Sequence, residues 1–337
     1  MKTLDISSLA LAAIALLTLP VPAAAGRHKF INFDVPGAGA SFPSDINDNN
    51  DVTGDYRDLS GVYHSFVRTA DGTITTFDPP GAASSGGGAI NRNGEIVGSF
   101  TDSSSVSHGY LRSADGTITI IDPPGSTGTS AYGLNDRTQL TGGFGDSNGI
   151  FHGFLRKQSG RYIVFDPEGS ARTFGIGINN DTAVTGVYCP NSLCNPFNGF
   201  IRSSDGAITT FSVSGANSTM PRQINSSGAV VGHFSTFDGG QGGFVRTPDG
   251  QIATFCAWGS GINKKGWAVG FNRDGFGVYH GCLRAPDGTL STFDDPSAGT
   301  DNAEGTQPTA INAARYVTGF YEDVNHAYHG FIVLPRT

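Results

Sequence analysis

This sequence predicts an all-β repeat protein, on three observations. A Phe-Asp step or its substitute recurs seven times, at Phe33, Phe77, Ile121, Phe165, Phe211, Phe255 and Phe293, with gaps of 44, 44, 44, 46, 44 and 38 residues. In phase with it run an asparagine (Asn47, Asn91, Asn135, Asn179, Asn225, Asn263, Asn312) and a glycine in the following strand (Gly54, Gly98, Gly142, Gly186, Gly232, Gly270, Gly319). Between these markers lie short runs rich in Ile, Val, Thr and aromatics, bounded by turn residues, and no stretch after residue 25 shows a helical period with caps. Four-stranded units repeated at this period stack radially, so the expected fold is a seven-bladed β-propeller of ~44-residue repeats.

The elements follow in order. Residues 1–25 read as a signal peptide, with Lys2, an apolar run from Leu9 to Leu19, and small residues Ala23, Ala24 and Ala25 for cleavage. That run is shorter than the roughly 20 residues of a membrane span, and no later stretch approaches one. The expected product is exported, periplasmic or extracellular, with residues 26–337 forming one propeller domain. It opens on a lone fourth strand, 30–34, and ends on a third strand, 329–335. The N-terminal strand 30–34 should therefore complete the last blade and close the ring. The blades are assigned to 44–78, 88–122, 131–166, 174–212, 221–256, 259–294, and 308–334 plus 30–34. In the second, strands centre on 89–91, 95–100, 108–112 and 117–122, with tight turns at "NRNG" and "SADG" and a longer Gly/Ser-rich connection after "DPPG". The glycine of each second strand suits close approach of another backbone.

A net charge of −8 excludes the basic surface that nucleic acid requires. Four cysteines in an exported chain favour disulfides. Cys189 and Cys194 can close a small loop and leave Cys256 and Cys282 as a second pair; three connectivities are open.

The most regular chemistry is an Asp-His-Asp set at one edge of five blades. The sets are Asp58, His64, Asp78; Asp102, His108, Asp122; Asp146, His152, Asp166; Asp274, His280, Asp294; and Asp323, His329, Asp34. The last is complete only if the N-terminal strand closes the seventh blade. The fourth blade has Pro190, Asn198 and Ser212 instead, and the fifth Thr236, Gly242 and Cys256; residues lost together should touch. Two readings stand: a histidine strut joining strand ends, or a divalent-cation site on each blade, the one cofactor the sequence admits. Six arginines (Arg68, Arg112, Arg156, Arg202, Arg246, Arg284) precede the second tight turn and are expected at the solvated rim.

The stretches "INRNGEIVGSF" with "HGYLR" and "INDNNDVTGDY" with "HSFVR" resemble the bacterial extracellular HAF repeat family, whose repeats combine an IN-x-x-G-x-V-x-G step with a His-Ala-Phe strand. Gly, or Ser once, stands here in place of the family's Ala. The resemblance implies an exported repeat protein and transfers no catalytic residue.

Function is expected to be that of a binding or scaffold propeller, monomeric, with carbohydrate or protein as partner at a face rich in long connections. Symmetry is broken in blades four to six, where Trp258, Arg172 and Arg222 are the candidate ligand-binding residues; drift that merely plugs the ring is the alternative. The rival class is a propeller enzyme of the glycan lyase, hydrolase or lactonase type. No G-x-S-x-G turn, HExxH or phosphate loop is present. The carboxylates near a channel mouth are Asp301 and Glu304, and among the inner strands Asp45.

Overall fold

The computed structural model describes residues 28–191 and 193–335; the expected signal peptide lies outside the described residues. Among these residues are 28 β-strands and no helix. Pairing groups the strands in fours. In the second group Ala82–Ile90, Ile96–Asp102, Ser107–Arg112 and Ile118–Ile121 pair in chain order, each antiparallel to the next. Strand Phe30–Phe33 pairs with Tyr328–Val333, Phe30 opposite Val333 and Phe33 opposite Gly330, so the last group takes its fourth strand from the N-terminus. Third strands meet the first strand of the next group through parallel bridges such as Phe151 with Arg172 and Tyr279 with Gly305. The same bridge joins Tyr328 of the last group to Ala40 of the first.

Each first strand bulges opposite the repeated glycine. In the second group Gly87 pairs with Gly98 and Ala89 with Val97, leaving Gly88 unpaired between them. A Cβ on Gly98 would overlap the carbonyl oxygen of Gly86, so the bulge admits only glycine opposite it. The close approach read from the sequence is therefore to the group's own first strand.

First strands are longer than the sequence suggests. The Gly/Ser-rich segment read as a connection is itself strand, Ala82–Ile90 in the second group. A Cβ on Gly87 would lie 2.6 Å from Thr53 Oγ1 and 2.9 Å from Gly54 O of the preceding group, so those glycines mark tight packing rather than a loop. What connects fourth to first strand is a short turn, as at Asp78–Gly81, where the Ala82 N–H donates to Pro79 O at 3.1 Å. The face of long connections is thus a correction: the two longest are residues 190–197 and 294–304, and short turns occupy both faces.

The core lies between groups. The third strands bury Phe66, Tyr110, Phe154, Phe200, Phe244 and Phe331 completely. Several meet the fourth-strand aromatic of the preceding group edge to face, as in Phe77–Tyr110, Phe165–Phe200 and Phe211–Phe244, and Phe33–Phe66 makes the same contact between last and first groups. Burying one such ring contributes roughly 1.5–3 kcal/mol. In the sixth group the aromatic is replaced by Cys282, disulfide-bonded to Cys256 of the preceding group; the second bridge is Cys189–Cys194.

The seven asparagines do more than cap turns. The Asn91 Oδ1 accepts the N–H groups of Asn93 and Glu95, both at 3.0 Å, while its Nδ2 donates to Asn135 O of the next group at 3.1 Å. The same inter-group bond runs Asn47 to Asn91, Asn135 to Asn179, Asn179 to Asn225, Asn225 to Asn263 and Asn263 to Asn312. Asn312 returns it to Asn47 O at 3.0 Å. All seven residues are buried, and each bond brings a second donor to a carbonyl that already accepts an N–H of its own turn, as Asn135 O accepts the Thr138 N–H at 3.1 Å.

Candidate functional site

The Asp-His-Asp sets assemble as the spacing requires. His64 Nδ1 lies 2.8 Å from Asp78 Oδ2 and its Nε2 3.5 Å from Asp58 Oδ2. The corresponding distances are 2.8 and 3.6 Å at His108, 2.7 and 3.7 Å at His152, 3.0 and 3.4 Å at His280, and 2.9 and 3.6 Å at His329. The first aspartate also shapes its hairpin: Asp58 Oδ1 accepts the N–H groups of Ser60 and Val62 at 2.8 and 2.9 Å, and Asp102 does the same for Ser104 and Val106. His64, His108 and His329 stack on Tyr56, Phe100 and Tyr321 of the second strand. Where the set is lost in the fourth group, a neutral remnant persists, the Ser212 hydroxyl donating to Asn198 Oδ1 at 3.0 Å.

These contacts set the charges. Partial burial draws the imidazolium of His64 down, but the Asp78 hydrogen bond and the charges of Asp78 and Asp58 outweigh it and raise its pKa; His280 follows the same balance with Asp294 and Asp274. The hydrogen bond to Asp122 leads in raising His108. Turn N–H groups hold Asp58, Asp102, Asp146 and Asp274 below the usual carboxylate range. Each ring nitrogen faces a different carboxylate, so no set converges on one point. Among the described residues no group of three His, Cys, Asp or Glu is arranged to hold a metal ion.

Other expected residues are placed differently. The third-strand arginines are not simply solvated: the guanidinium of Arg112 lies 4.7 Å from the Phe77 ring centroid and that of Arg246 5.1 Å from Phe211, each over the preceding group. Arg112 also donates to Ser113 O, and Arg68 and Arg202 are buried. Glu304 is buried and accepts the Asp301 N–H at 2.8 Å within its own turn, away from the central cavity.

Two of the symmetry-breaking residues, Arg222 and Trp258, meet among the first strands, around a cavity of about 570 Å³. The unpaired residue of each first-strand bulge lines it: Ser44, Gly88, Tyr132, Ile176, Arg222, Ser260 and Thr309. One structural device thus aims seven positions at one space, and the sequence fills them with six different residue types. At the asparagine end, Asp48 Oδ2 takes both Arg92 Nη2 and Lys264 Nζ at 3.1 Å.

Arg222 has no hydrogen-bond acceptor among the described residues; its guanidinium lies over the Trp258 ring, 5.9 Å from the centroid. Enclosure by the walls draws its pKa down, although the channel wets it. Trp258 stacks on His233 at 3.5 Å and 16° and runs nearly parallel to Phe271 at 5.8 Å. It therefore fills the seam between two groups and also lines the cavity. His233 is pushed down to about 3, by burial and then by the Arg222 charge, so it is neutral. Arg172 does not join this cluster: it is the first residue of Arg172–Ile178 and lies over Phe151, whereas Arg222 is the seventh of Ala216–Ile224.

Two carboxyls line the same cavity. Burial raises Asp45 to about 7 despite the N–H groups of Ile90 and Ile46 on its oxygens at 3.0 and 2.9 Å. Burial also raises Asp55 to about 7, against only the opposing pull of its own backbone N–H. Asp55 escaped the sequence reading because it sits on a second strand. Its signal was available: the matching positions hold Ser99, Gly143, Val187, His233, Phe271 and Phe320.

Four-stranded antiparallel sheets set around a central cavity define a β-propeller. No family model matches the chain, and no curated protein matches it. Solved structures do. The β-propeller domain of the Trilobed protease from Pyrococcus furiosus superposes with a TM-score of 0.61 at 10% identity, covering 88% of this chain and 95% of that one. A putative TolB from Agrobacterium tumefaciens gives 0.51 at 13% identity over 65% and 82% of the two chains. TolB from Acinetobacter baumannii gives 0.53 at 12% identity over 72% of this chain and 62% of that one. At these identities the likeness establishes the fold alone.

Proposed function

We propose that this chain is an exported binding module: a single seven-bladed propeller of residues 26–337, monomeric, closed by its N-terminal strand, and taking its ligand in the central channel. The asparagine circuit and the pairing of Phe30–Phe33 with Tyr328–Val333 support closure. Two disulfides, with no helix among the described residues long and apolar enough to cross a membrane, accord with export, as does the resemblance to HAF repeats. In this reading the Asp-His-Asp sets are struts. The observation that carries it is the set of seven bulge residues, which share one cavity and little of their chemistry. The turn asparagine is the same in every repeat and the core position nearly so, whereas contact with an asymmetric ligand calls for positions of differing chemistry.

The test is thermal unfolding against an array of oligosaccharides and peptides, since a ligand of the native state raises stability as its concentration passes its Kd. A shift for the parent protein that Arg222→Gln removes supports the reading. Shifts unaffected by any bulge-residue variant contradict it. A second reading, a glycan-cleaving enzyme, is favoured by one observation, the two cavity carboxyls near 7, where a group can serve as acid or base. New reducing ends from a polysaccharide, lost in Asp55→Asn, would establish it.

A further inference from the structure

We infer that the channel recognises its ligand through a carboxylate seated on the Arg222 guanidinium, and that the ligand class is an acidic sugar. This inference rests on the binding-module reading and specifies its ligand. It starts from an unmet requirement. The other cations near this end of the ring have acceptors: Arg92 and Lys264 share Asp48, while Arg68 and Arg112 donate to Thr69 O and Ser113 O. Arg222 has the indole of Trp258 beneath it and no acceptor among the described residues. Stacking fixes the plane of a guanidinium but leaves its in-plane N–H donors unused. Those donors face the wet channel, held only by water, and a carboxylate supplies two acceptors in matching geometry.

A second, separate observation lies behind the ring. His233 is 3% exposed, stacks on the same indole, and its Nδ1 has no partner among the described residues. A neutral imidazole there lets the Trp258–Arg222 pair stand without a second positive charge, keeping Arg222 the one cation among the described residues that reaches the cavity.

The remainder of the lining selects among carboxylates. Ser44, Ser260 and Gln307 have side chains unengaged by protein among the described residues, beside the aromatic surfaces of Phe42 and Tyr132. Scattered neutral donors and acceptors with aromatic faces suit a hydroxylated ring, and about 570 Å³ falls within the usual range of small-ligand sites. The titratable groups around the cavity are Asp45, Asp55, Tyr132 and Arg222. In mildly acidic solution Asp45 and Asp55 are protonated and Arg222 sets the field; as pH rises through about 7 they ionise and oppose an anion.

The experiment titrates the Trp267→Phe protein, in which Trp258 is the remaining tryptophan, with D-glucuronate and D-galacturonate. D-glucose and D-galactose are the uncharged controls, and a tripeptide with its amide forms a parallel arm. The expected result is a saturable Trp258 fluorescence change with a uronate, at least tenfold weaker with the parent sugar and in Arg222→Gln, partly kept in Arg222→Lys. In the protein with Arg222 intact it should weaken between roughly pH 5.5 and 8.5. Four outcomes overturn the inference: no uronate binding, equal binding of uronate and neutral sugar, full binding by Arg222→Gln, or response only to the tripeptide carboxylate. Equal binding of neutral sugar removes the carboxylate and leaves the binding module standing; silence from every probe removes both.

Discussion

The asparagine circuit and the bulge residues lie a few residues apart on the same first strands, yet they obey opposite rules. Asn47 and its six counterparts are identical in every repeat, buried, and each joined to the next group's backbone. Three residues earlier, the bulge positions run Ser44, Gly88, Tyr132, Ile176, Arg222, Ser260 and Thr309. The identical asparagines join group to group; the dissimilar bulge residues face the cavity. The rim falls between, with five Asp-His-Asp sets and two groups that do without.

The comparison breaks if substitutions in the two layers weigh alike on stability. Asn91→Ala removes two turn caps and the bond to Asn135 O; at roughly 0.5–1.5 kcal/mol per bond, it should cost about 2–4 kcal/mol in urea unfolding. Gly98→Ala drives a Cβ into the Gly86 carbonyl and should cost about 1–3 kcal/mol, with loss of the bulge seen as altered amide exchange in Ala82–Ile90. His108→Ala, at a solvent-touched ion pair, should cost about 0.2–1 kcal/mol. Arg222→Gln should change stability by less than about 0.5 kcal/mol in the absence of ligand, because it removes a cation with no protein acceptor.

The rim also fixes a pH dependence. His64, His108 and His280 have raised pKa values in the fold, so the stability they confer is full below the ordinary histidine value and disappears as pH climbs through their raised values. Asp58, Asp102, Asp146 and Asp274 are lowered, so theirs is present above the ordinary aspartate value and disappears as pH falls through the lowered ones. Between the two windows, in mildly acidic solution, both contributions hold. A protein with His64, His108 and His280 changed to asparagine should show a shallower alkaline limb in unfolding free energy measured against pH; the limb that remains belongs to Asp45 and Asp55, whose raised carboxyls cost stability as pH climbs from the ordinary aspartate value to about 7.

What the sequence revealed follows the same division. The period, the strand count per repeat and every His-Asp pairing were legible, because those residues recur in phase and bond to one another. The inter-group role of the asparagines was hidden, since their partner is a backbone carbonyl that carries no sequence mark. First strands read as loops because a run of small residues such as Ser84, Ser85, Gly86, Gly87 and Gly88 is ordinary turn composition. Only the neighbouring Thr53 side chain and Gly54 backbone show that Gly87 is a packing position. Arg172 and Arg222 looked equivalent near strand starts, but the bulge decides which one reaches the channel.

The most direct measurement is urea unfolding and uronate titration of Asn91→Ala and Arg222→Gln side by side. The account predicts a double dissociation: Asn91→Ala loses stability and keeps tight uronate binding wherever it remains folded, while Arg222→Gln keeps stability and loses binding at least tenfold. If Arg222→Gln unfolds as readily as Asn91→Ala and binds as the parent protein does, the channel residues are part of the frame and the division between repeated and unrepeated positions carries no function.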